Sequence, residues 1–122
     1  MILGIGTDLV ENRRLERWLD QPRLLSKYFT EKELEDARTG SHPAASLAAR
    51  FAAKEAFGKA LGTGMRGLAL KDIETRRGGG GKPDLILTGS ARRALEEKGA
   101  RAHLSLTHER DYALAFVVLE AP

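Results

Sequence analysis

The segment 43–61 is the part of the sequence that most constrains the fold. It is rich in alanine, and after Pro43 no residue that breaks helices occurs before Gly58. The apolar side chains of Leu47, Phe51 and Leu61 mark a stripe that suits packing against a neighbouring layer. The segment therefore predicts a long helix, against which the remaining elements must pack.

The start of the chain predicts a strand. Residues 2–10 are apolar and alternate, so that Gly4, Gly6 and Asp8 would share one face of that strand. The opposite face would carry Leu3, Ile5, Thr7 and Leu9. We expect the two glycines to leave open space beside the Asp8 carboxylate. The plainer interpretation is a strand that ends in a capping aspartate.

The rest of the chain predicts short elements. Asn12 can cap the first helix, and Thr30 to Glu33 reads as a capping box. The run 113–119 is apolar throughout, which favours a central strand. The four glycines at 78–81 favour a hairpin connection over a phosphate cradle. We predict helices at 12–19, 24–29, 30–38 and 88–98, and strands at 70–77 (polar face Asp72, Glu74 and Arg76), 84–87, 102–107 and 111–119.

The composition excludes several classes of protein. The chain has no cysteine, so disulfides, thiolate nucleophiles and cysteine metal sites are all ruled out. Residues 1–6 lack the basic start of a signal peptide, and no apolar run reaches membrane-spanning length. We therefore expect a cytoplasmic protein outside the membrane. A net charge of +3 permits an acidic partner or a phosphate-rich ligand, but interleaved acids and 6% aromatic residues argue against nucleic acid.

Two carboxylates and a lysine are the candidate reactive groups. Glu55 and Lys59 are four residues apart, so they share one face of the long helix. Together with Asp8 they would suit magnesium, which takes one or two carboxylates and completes its shell with water and substrate phosphates. Small neighbours around Glu55 would let a bulky ligand approach. The alternatives are an ordinary helix ion pair and two carboxylates that never meet in space.

Polar and basic groups elsewhere have two interpretations each. His103, Ser105 and Thr107 share one face of a predicted strand, as an exposed edge or as hydrogen-bonding groups for a phosphate or an adenine ring. A serine-hydrolase triad is not indicated, because no nucleophile elbow is present, and His108 reads as a turn residue. The basic side chains of the first helix read as a solvated face or as a docking surface for an acidic helix. They are Arg13, Arg14 and Arg17.

These motifs, taken in order, resemble holo-acyl-carrier-protein synthase, the small single-domain class of 4′-phosphopantetheinyl transferases. The order and spacing cover essentially the whole chain. The segments that carry the resemblance are GIGTD (4–8), FTEKEL (29–34), RFAAKEAFGKALGTG (50–64), DIE (72–74), GKP (81–83) and HLSLTH (103–108).

The resemblance implies a fold and a reaction. The fold would be α+β, a single domain spanning 1–122 with a long central helix packed on an antiparallel sheet. The enzyme would transfer the 4′-phosphopantetheine arm of coenzyme A to a serine of apo acyl carrier protein in fatty acid biosynthesis. Adenosine 3′,5′-bisphosphate would be released. The family is typically a homotrimer with sites at subunit interfaces, so we expect the same here.

The resemblance also assigns roles to residues. Asp8 and Glu55 match the magnesium ligands, and Lys59 matches the lysine that contacts the diphosphate. The acidic carrier protein would dock on the first helix, which bears Arg13, Arg14 and Arg17. The residues that fall where the family binds coenzyme A are Arg50, Lys82, Pro83, His103, Ser105 and Thr107. The competing hypotheses are a small basic binding module without catalysis and a coenzyme A binder that has lost its activity.

Overall fold

The predicted long helix lies at the centre of the structure, a computed structural model that describes residues 1–78 and 80–122. This helix, α4 (Pro43–Leu61), packs on a three-stranded antiparallel sheet. In their order across the sheet, the strands are β1 (Ile2–Glu11), β5 (Tyr112–Glu120) and β4 (Arg101–Glu109). The last strand of the sequence is therefore central, as its apolar sequence predicts. The α+β architecture with a central helix on an antiparallel sheet is confirmed.

The packing of α4 on β1 depends on two glycines. A methyl group added to Gly6 would overlap the carbonyl oxygen of Ala56, and one added to Gly4 would overlap that of Ala60. The expectation of open space beside Asp8 is therefore wrong, because the helix backbone fills it. The glycines bring β1 and α4 into direct backbone contact.

The segment between β1 and α4 forms three short helices. They are α1 (Asn12–Glu16), α2 (Pro22–Tyr28) and α3 (Glu31–Thr39). The prediction that Asn12 caps a helix reaching residue 19 is wrong. Asn12 lies inside α1, and its side-chain amide donates to the carbonyl of Arg110 in the β4–β5 turn. The helix ends at Glu16, and Arg17 to Asp20 form turns.

The capping box at the start of α3 is confirmed. The hydroxyl of Thr30 accepts from the backbone N–H of Glu33, and the carboxylate of Glu33 accepts from the backbone N–H of Thr30. The side chain of Glu33 is nonetheless fully buried, which a surface capping box does not require. Its further partners are the ammonium of Lys54 on α4 and the backbone N–H of Thr75.

A second, two-stranded sheet flanks the helix. It consists of β2 (Ile73–Arg77) and β3 (Pro83–Leu87), and α5 (Gly89–Lys98) follows it. Arg77 lies opposite Pro83, so the four-glycine run connects an antiparallel hairpin, as predicted. The predicted strand at 70–77 begins only at Ile73, because residues 70–72 form one 3-10 turn. Glu74 contacts Arg76 on the predicted polar face of the strand, but Glu74 itself is buried.

The three-stranded sheet has one covered face and one open face. The covered face packs on α4 and carries Val10, Leu104, Ala115 and Val117 in the core. The opposite face, which we call the outer sheet face, consists of Leu3, Ile5, Leu9, Phe116 and the residues paired with them. Ile5 and Leu9 are 60% and 59% exposed, which is high for large apolar side chains. Among the helices of residues 1–78 and 80–122, none is both long and apolar enough to cross a bilayer.

The glycine contact with α4 can be tested by substitution. We expect Gly6→Ala to lower the free energy of unfolding by about 1–3 kcal/mol, because the new methyl group must push α4 away from β1. Thermal denaturation followed by circular dichroism measures the change. Gly40→Ala is the matched control: its new methyl group would meet only ordinary contacts at 3.6 Å and beyond, so we expect less than about 0.5 kcal/mol. Equal effects of the two substitutions would contradict the packing argument.

Candidate active site

Asp8, Glu55 and Lys59 come together where the edge strand β1 meets α4. The ammonium of Lys59 donates to a carboxylate oxygen of Asp8 at 3.2 Å and to the backbone carbonyl of Thr7 at 3.0 Å. The side chain of Lys59 is 54% exposed and that of Asp8 is 19% exposed, so the group opens to solvent. We call Asp8, Glu55 and Lys59 the acidic cluster.

Glu55 lies one turn before Lys59 on α4, near enough to Asp8 to be affected by its charge. Partial burial raises the pKa of the Glu55 carboxyl, and the negative charge of Asp8 raises it further. Arg14 and Lys59 act in the opposite direction, without removing the shift. The two carboxylates are therefore near enough for the charge of Asp8 to act against the charged form of Glu55. Such a pair attracts a cation.

The cluster fits magnesium better than a transition metal. Among residues 1–78 and 80–122, no group of three or more His, Cys, Asp or Glu side chains is placed to hold a metal ion. Zinc would need more protein ligands, and preferably nitrogen or sulfur ligands. Two carboxylates beside an open face suit Mg²⁺, which leaves part of its shell to water and phosphate oxygens.

The small residues near Glu55 have a role other than the one predicted. Ala52, Ala53 and Ala56 are fully buried in the core, where they allow α4 to pack closely on its neighbours. They do not form an entrance for a ligand, so that expectation is wrong. The side of the cluster that a ligand can reach is the exposed side of Lys59.

A separate basic cavity of about 880 Å³ lies on another side of α4. It is bounded by α3, α4, β2, the start of β3 and the end of β4. Its cationic lining residues are Lys32, Arg50, Arg76, Arg77 and Arg110, with His42 and His108 beside them. Asp36 is the only acid among the described residues that line it. This surplus of positive charge suits an anionic ligand such as a phosphate.

Arg50 and Pro83 both line this cavity, so the structure brings together two of the predicted coenzyme A residues. The guanidinium of Arg50 donates to the hydroxyl of Ser46 at 2.6 Å and lies 3.6 Å from the carboxylate of Asp36. Its Nε finds no hydrogen-bond partner among the described residues, although Arg50 is buried. Burial lowers the pKa of Arg50. Lys82 is exposed next to Pro83.

His108 is a cavity residue that the sequence analysis missed. It lies within β4, not in a turn, and it lines the cavity together with Leu106. The strand alternation could have shown this, since residues 104, 106 and 108 share the face opposite to Ser105. The prediction of a turn residue is wrong because β4 extends to Glu109.

His103, Ser105 and Thr107 lie on the outer sheet face, away from the acidic cluster. Ser105 and Thr7 lie across from Phe116 on either side of it, whereas Asp8 points toward α4. His103 makes a hydrogen bond of 3.0 Å with the carboxylate of Glu120. Within one chain these residues and the acidic cluster are on opposite faces of the same sheet.

The three arginines of the first helical segment are exposed, as predicted. The guanidinium of Arg14 lies 4.8 Å from the centre of the Phe51 ring, over the surface of α4. Arg14 is also close enough to Glu55 to lower its pKa. The basic segment therefore lies near the acidic cluster.

Removing the charge of Glu55 should stabilise the metal-free protein. The folded state raises the pKa of Glu55, so at neutral pH the ionised carboxylate opposes folding, and this cost disappears as the pH falls below its usual range. We expect Glu55→Gln to raise the melting temperature at pH 7 in the presence of a chelator, with a smaller gain near pH 4. Glu97→Gln, on the exposed side of α5, is the control and should change neither value. A lower melting temperature for Glu55→Gln at pH 7 would contradict the assignment.

Comparison with known proteins extends these observations. The sequence profile of the 4′-phosphopantetheinyl transferase superfamily matches residues 4–117. A holo-[acyl-carrier-protein] synthase of Treponema denticola is 55% identical over 98% of this chain and 99% of its own. That of Trichlorobacter lovleyi is 50% identical, and both chains are covered completely.

Solved structures agree with the sequence comparison. The crystal structure of holo-[acyl-carrier-protein] synthase from Neisseria meningitidis has a TM-score of 0.89 and 41% identity, over 98% of this chain and 99% of that one. The enzyme from Bacillus anthracis, solved in complex with coenzyme A (3′,5′-ADP), has a TM-score of 0.83 and 39% identity, over 100% and 99% of the two chains. Full-length similarity in sequence and in fold therefore confirms the predicted resemblance. The chain belongs to the holo-acyl-carrier-protein synthases of the 4′-phosphopantetheinyl transferase superfamily.

Proposed function

We propose that this protein transfers the 4′-phosphopantetheine arm of coenzyme A to a serine of apo acyl carrier protein. Adenosine 3′,5′-bisphosphate is the other product. The observation that carries the proposal is the acidic cluster, in which an exposed ammonium lies 3.2 Å from one of two neighbouring carboxylates. A diphosphate needs this combination, because a cation held by carboxylates and a lysine can both contact its oxygens.

The acidic cluster has distinct tasks in this reaction. Asp8 and Glu55 are the residues that would hold Mg²⁺, which when bound offsets the charge that grows on the leaving phosphate. Lys59 is free to turn from Asp8 toward the diphosphate, since its side chain is half exposed. There it can stabilise or protonate the leaving phosphate. The attacking hydroxyl comes from the carrier protein, so the chain needs no nucleophile of its own.

The basic cavity supports the binding of coenzyme A. Arg50 contributes its positive charge to the lining of this cavity, and Pro83 adds an apolar surface beside Lys82. Arg50 and Glu55 are five residues apart on α4, which turns their side chains about 140° from each other. We propose that the nucleotide end of coenzyme A lies in the cavity of one subunit while its diphosphate meets the acidic cluster of the next.

The outer sheet face supports a homotrimer. A large exposed apolar area is typical of a surface that another protein covers. His103, Ser105 and Thr107 lie on this same face, and β1, which carries Asp8, forms its edge. A neighbouring subunit packed on the face would bring these polar groups to the rim of the acidic cluster, where they can bind coenzyme A.

The exposed arginines support docking of an acidic carrier protein on α1 and the turn after it. Arg13, Arg14 and Arg17 would steer a negatively charged helix to this surface. Arg14 borders Glu55, so a serine presented there lies near the acidic cluster. A cytoplasmic location and a role in fatty acid biosynthesis complete the proposal.

The reaction is tested by intact mass spectrometry. Apo acyl carrier protein is incubated with this protein, coenzyme A and Mg²⁺, and we expect the carrier to gain one phosphopantetheine arm. A chelator should abolish the gain, and Asp8→Asn should abolish it while the circular dichroism spectrum stays unchanged. The exposed variant Arg92→Ala, on α5, is the matched control and should remain fully active. No gain with several carriers, although coenzyme A still binds, would favour the inactive-binder hypothesis.

The trimer is tested by light scattering after size-exclusion chromatography. We expect the wild-type protein to have three times the mass of one chain, and Ile5→Asp to shift it to the monomer, because a charge is buried in the interface. Leu19→Asp is the matched control: Leu19 is an exposed apolar residue that lies outside the outer sheet face. A monomeric wild-type protein at micromolar concentration, or dissociation by Leu19→Asp alone, would contradict this interface.

A further inference from the structure

A buried ion pair lies outside the acidic cluster and has no part in the chemical step proposed above. Lys54 and Glu33 are both 0% exposed, and the ammonium lies 2.8 Å from the carboxylate. Lys54 also donates to the backbone carbonyl of Leu70 at 2.9 Å and to that of Ile73. Its three donors thus have three acceptors, all inside the protein. Burial lowers the pKa of Lys54, and the charge of Glu33 opposes that effect.

The carboxylate of Glu33 makes a matching set of contacts. It accepts from Lys54, from the backbone N–H of Thr30 and, at 3.1 Å, from the backbone N–H of Thr75. Two of the atoms bound by the pair, the carbonyl of Ile73 and the N–H of Thr75, belong to β2. The pair therefore holds the backbone of β2 from α3 and α4 at the same time.

These two backbone groups lie on the edge of β2 that faces away from β3. Backbone groups of residues two apart point to the same edge of a strand. The even-numbered residues bond toward β3 and its flanks, since the carbonyl of Asp72 accepts from Thr88 and the N–H of Gly78 donates to Lys82. Ile73 and Thr75 therefore point the other way. On this edge Lys54 donates to the carbonyl of Ile73, and Glu33 accepts from the N–H of Thr75. The two side chains thus make the hydrogen bonds that the backbone of a third strand would make.

The held strand forms one wall of the basic cavity. Thr75, Arg76 and Arg77 line it from β2, and Arg50 lines it from α4. Arg76 is fixed in turn by Glu74, whose carboxylate accepts from both the guanidinium of Arg76 and the hydroxyl of Thr30. The position of this wall relative to Arg50 thus depends on the contacts of the pair.

Stability alone is a weak reason for such a pair. Taking two charges out of water costs several kcal/mol, and apolar residues of similar size are often as stabilising. An apolar pair at these positions would fill the core, but it could not bind the edge of β2. The feature that only the ion pair supplies is the placement of the strand.

We propose that Lys54 and Glu33 are positioning residues for coenzyme A, which fix the β2 wall of the basic cavity against α4. This inference rests on the proposed function, because it concerns the cavity that would take the nucleotide end of the substrate. Neither residue touches the substrate. Both act through Thr75, Arg76 and Arg77.

One variant removes both charges, and the other removes only the charge of Glu33. Lys54→Met/Glu33→Gln leaves a core without charge and retains one acceptor, and Glu33→Gln alone keeps the shape of the pair. We expect both to raise the dissociation constant of adenosine 3′,5′-bisphosphate, measured by calorimetry on the full assembly, by about tenfold or more. The KM for coenzyme A should rise in parallel, whereas kcat at saturating coenzyme A should change by less than about threefold, since the acidic cluster is intact.

A matched core variant separates positioning from stability. Leu119→Ala opens a cavity under the sheet, away from β2, and should lower the melting temperature without weakening the bisphosphate. The inference is overturned if the Glu33 and Lys54 variants lose melting temperature as Leu119→Ala does and still bind the bisphosphate within about twofold of wild type.

Hydrogen exchange distinguishes this inference from the proposed function. The amide of Thr75 should exchange faster in both charge variants than in wild type, and unchanged protection would overturn the inference whatever the protein binds. If wild type neither binds the bisphosphate nor modifies a carrier, the proposed function fails and with it the role toward coenzyme A. If the amide of Thr75 still exchanged faster in the variants, the pair would hold β2 in place without a role in binding coenzyme A.

Discussion

The close contact between the backbone of β1 and helix α4 is the constraint on which the rest of the structure depends. Gly4 and Gly6 permit it from the strand, and Ala56 and Ala60 meet them from the helix. Because the two backbones touch, Asp8 on the strand comes within 3.2 Å of Lys59 on the helix. A larger side chain at either glycine would separate the groups that the proposed chemistry needs together. The acidic cluster is thus a product of backbone packing.

Two adjacent charged residues of α4 lie in opposite environments. Lys54 is enclosed, with every donor satisfied by the protein, and serves the architecture. Glu55, the next residue, keeps a carboxylate beside Asp8 that the protein only partly compensates. A fully satisfied buried group is rigid, whereas an uncompensated one at a surface is ready for a ligand. Adjacent positions on one helix therefore separate a structural charge from one that the proposed reaction would use.

The sequence predicts much of this because its strongest signals are local. Alanine content and apolar spacing give α4, and the resemblance gives the family. The predictions that are wrong concern features that depend on contacts between segments distant in the sequence. Gly6 reads as open space until α4 is placed on it, and Glu33 reads as a surface cap until β2 and Lys54 surround it. His108 is missed because the end of a strand is hard to locate from alternation alone.

Helix α4 also determines how a defect in one subunit would affect the other active sites of the proposed trimer. Arg50 lines the basic cavity and Glu55 belongs to the acidic cluster, so one helix would contribute residues to two active sites of the trimer. A subunit whose α4 is displaced would spoil its own cluster and the cavity that it offers to a neighbour. Of the three active sites in such a mixed assembly, only one would keep both halves intact. One defective subunit would therefore disable two active sites of such a trimer.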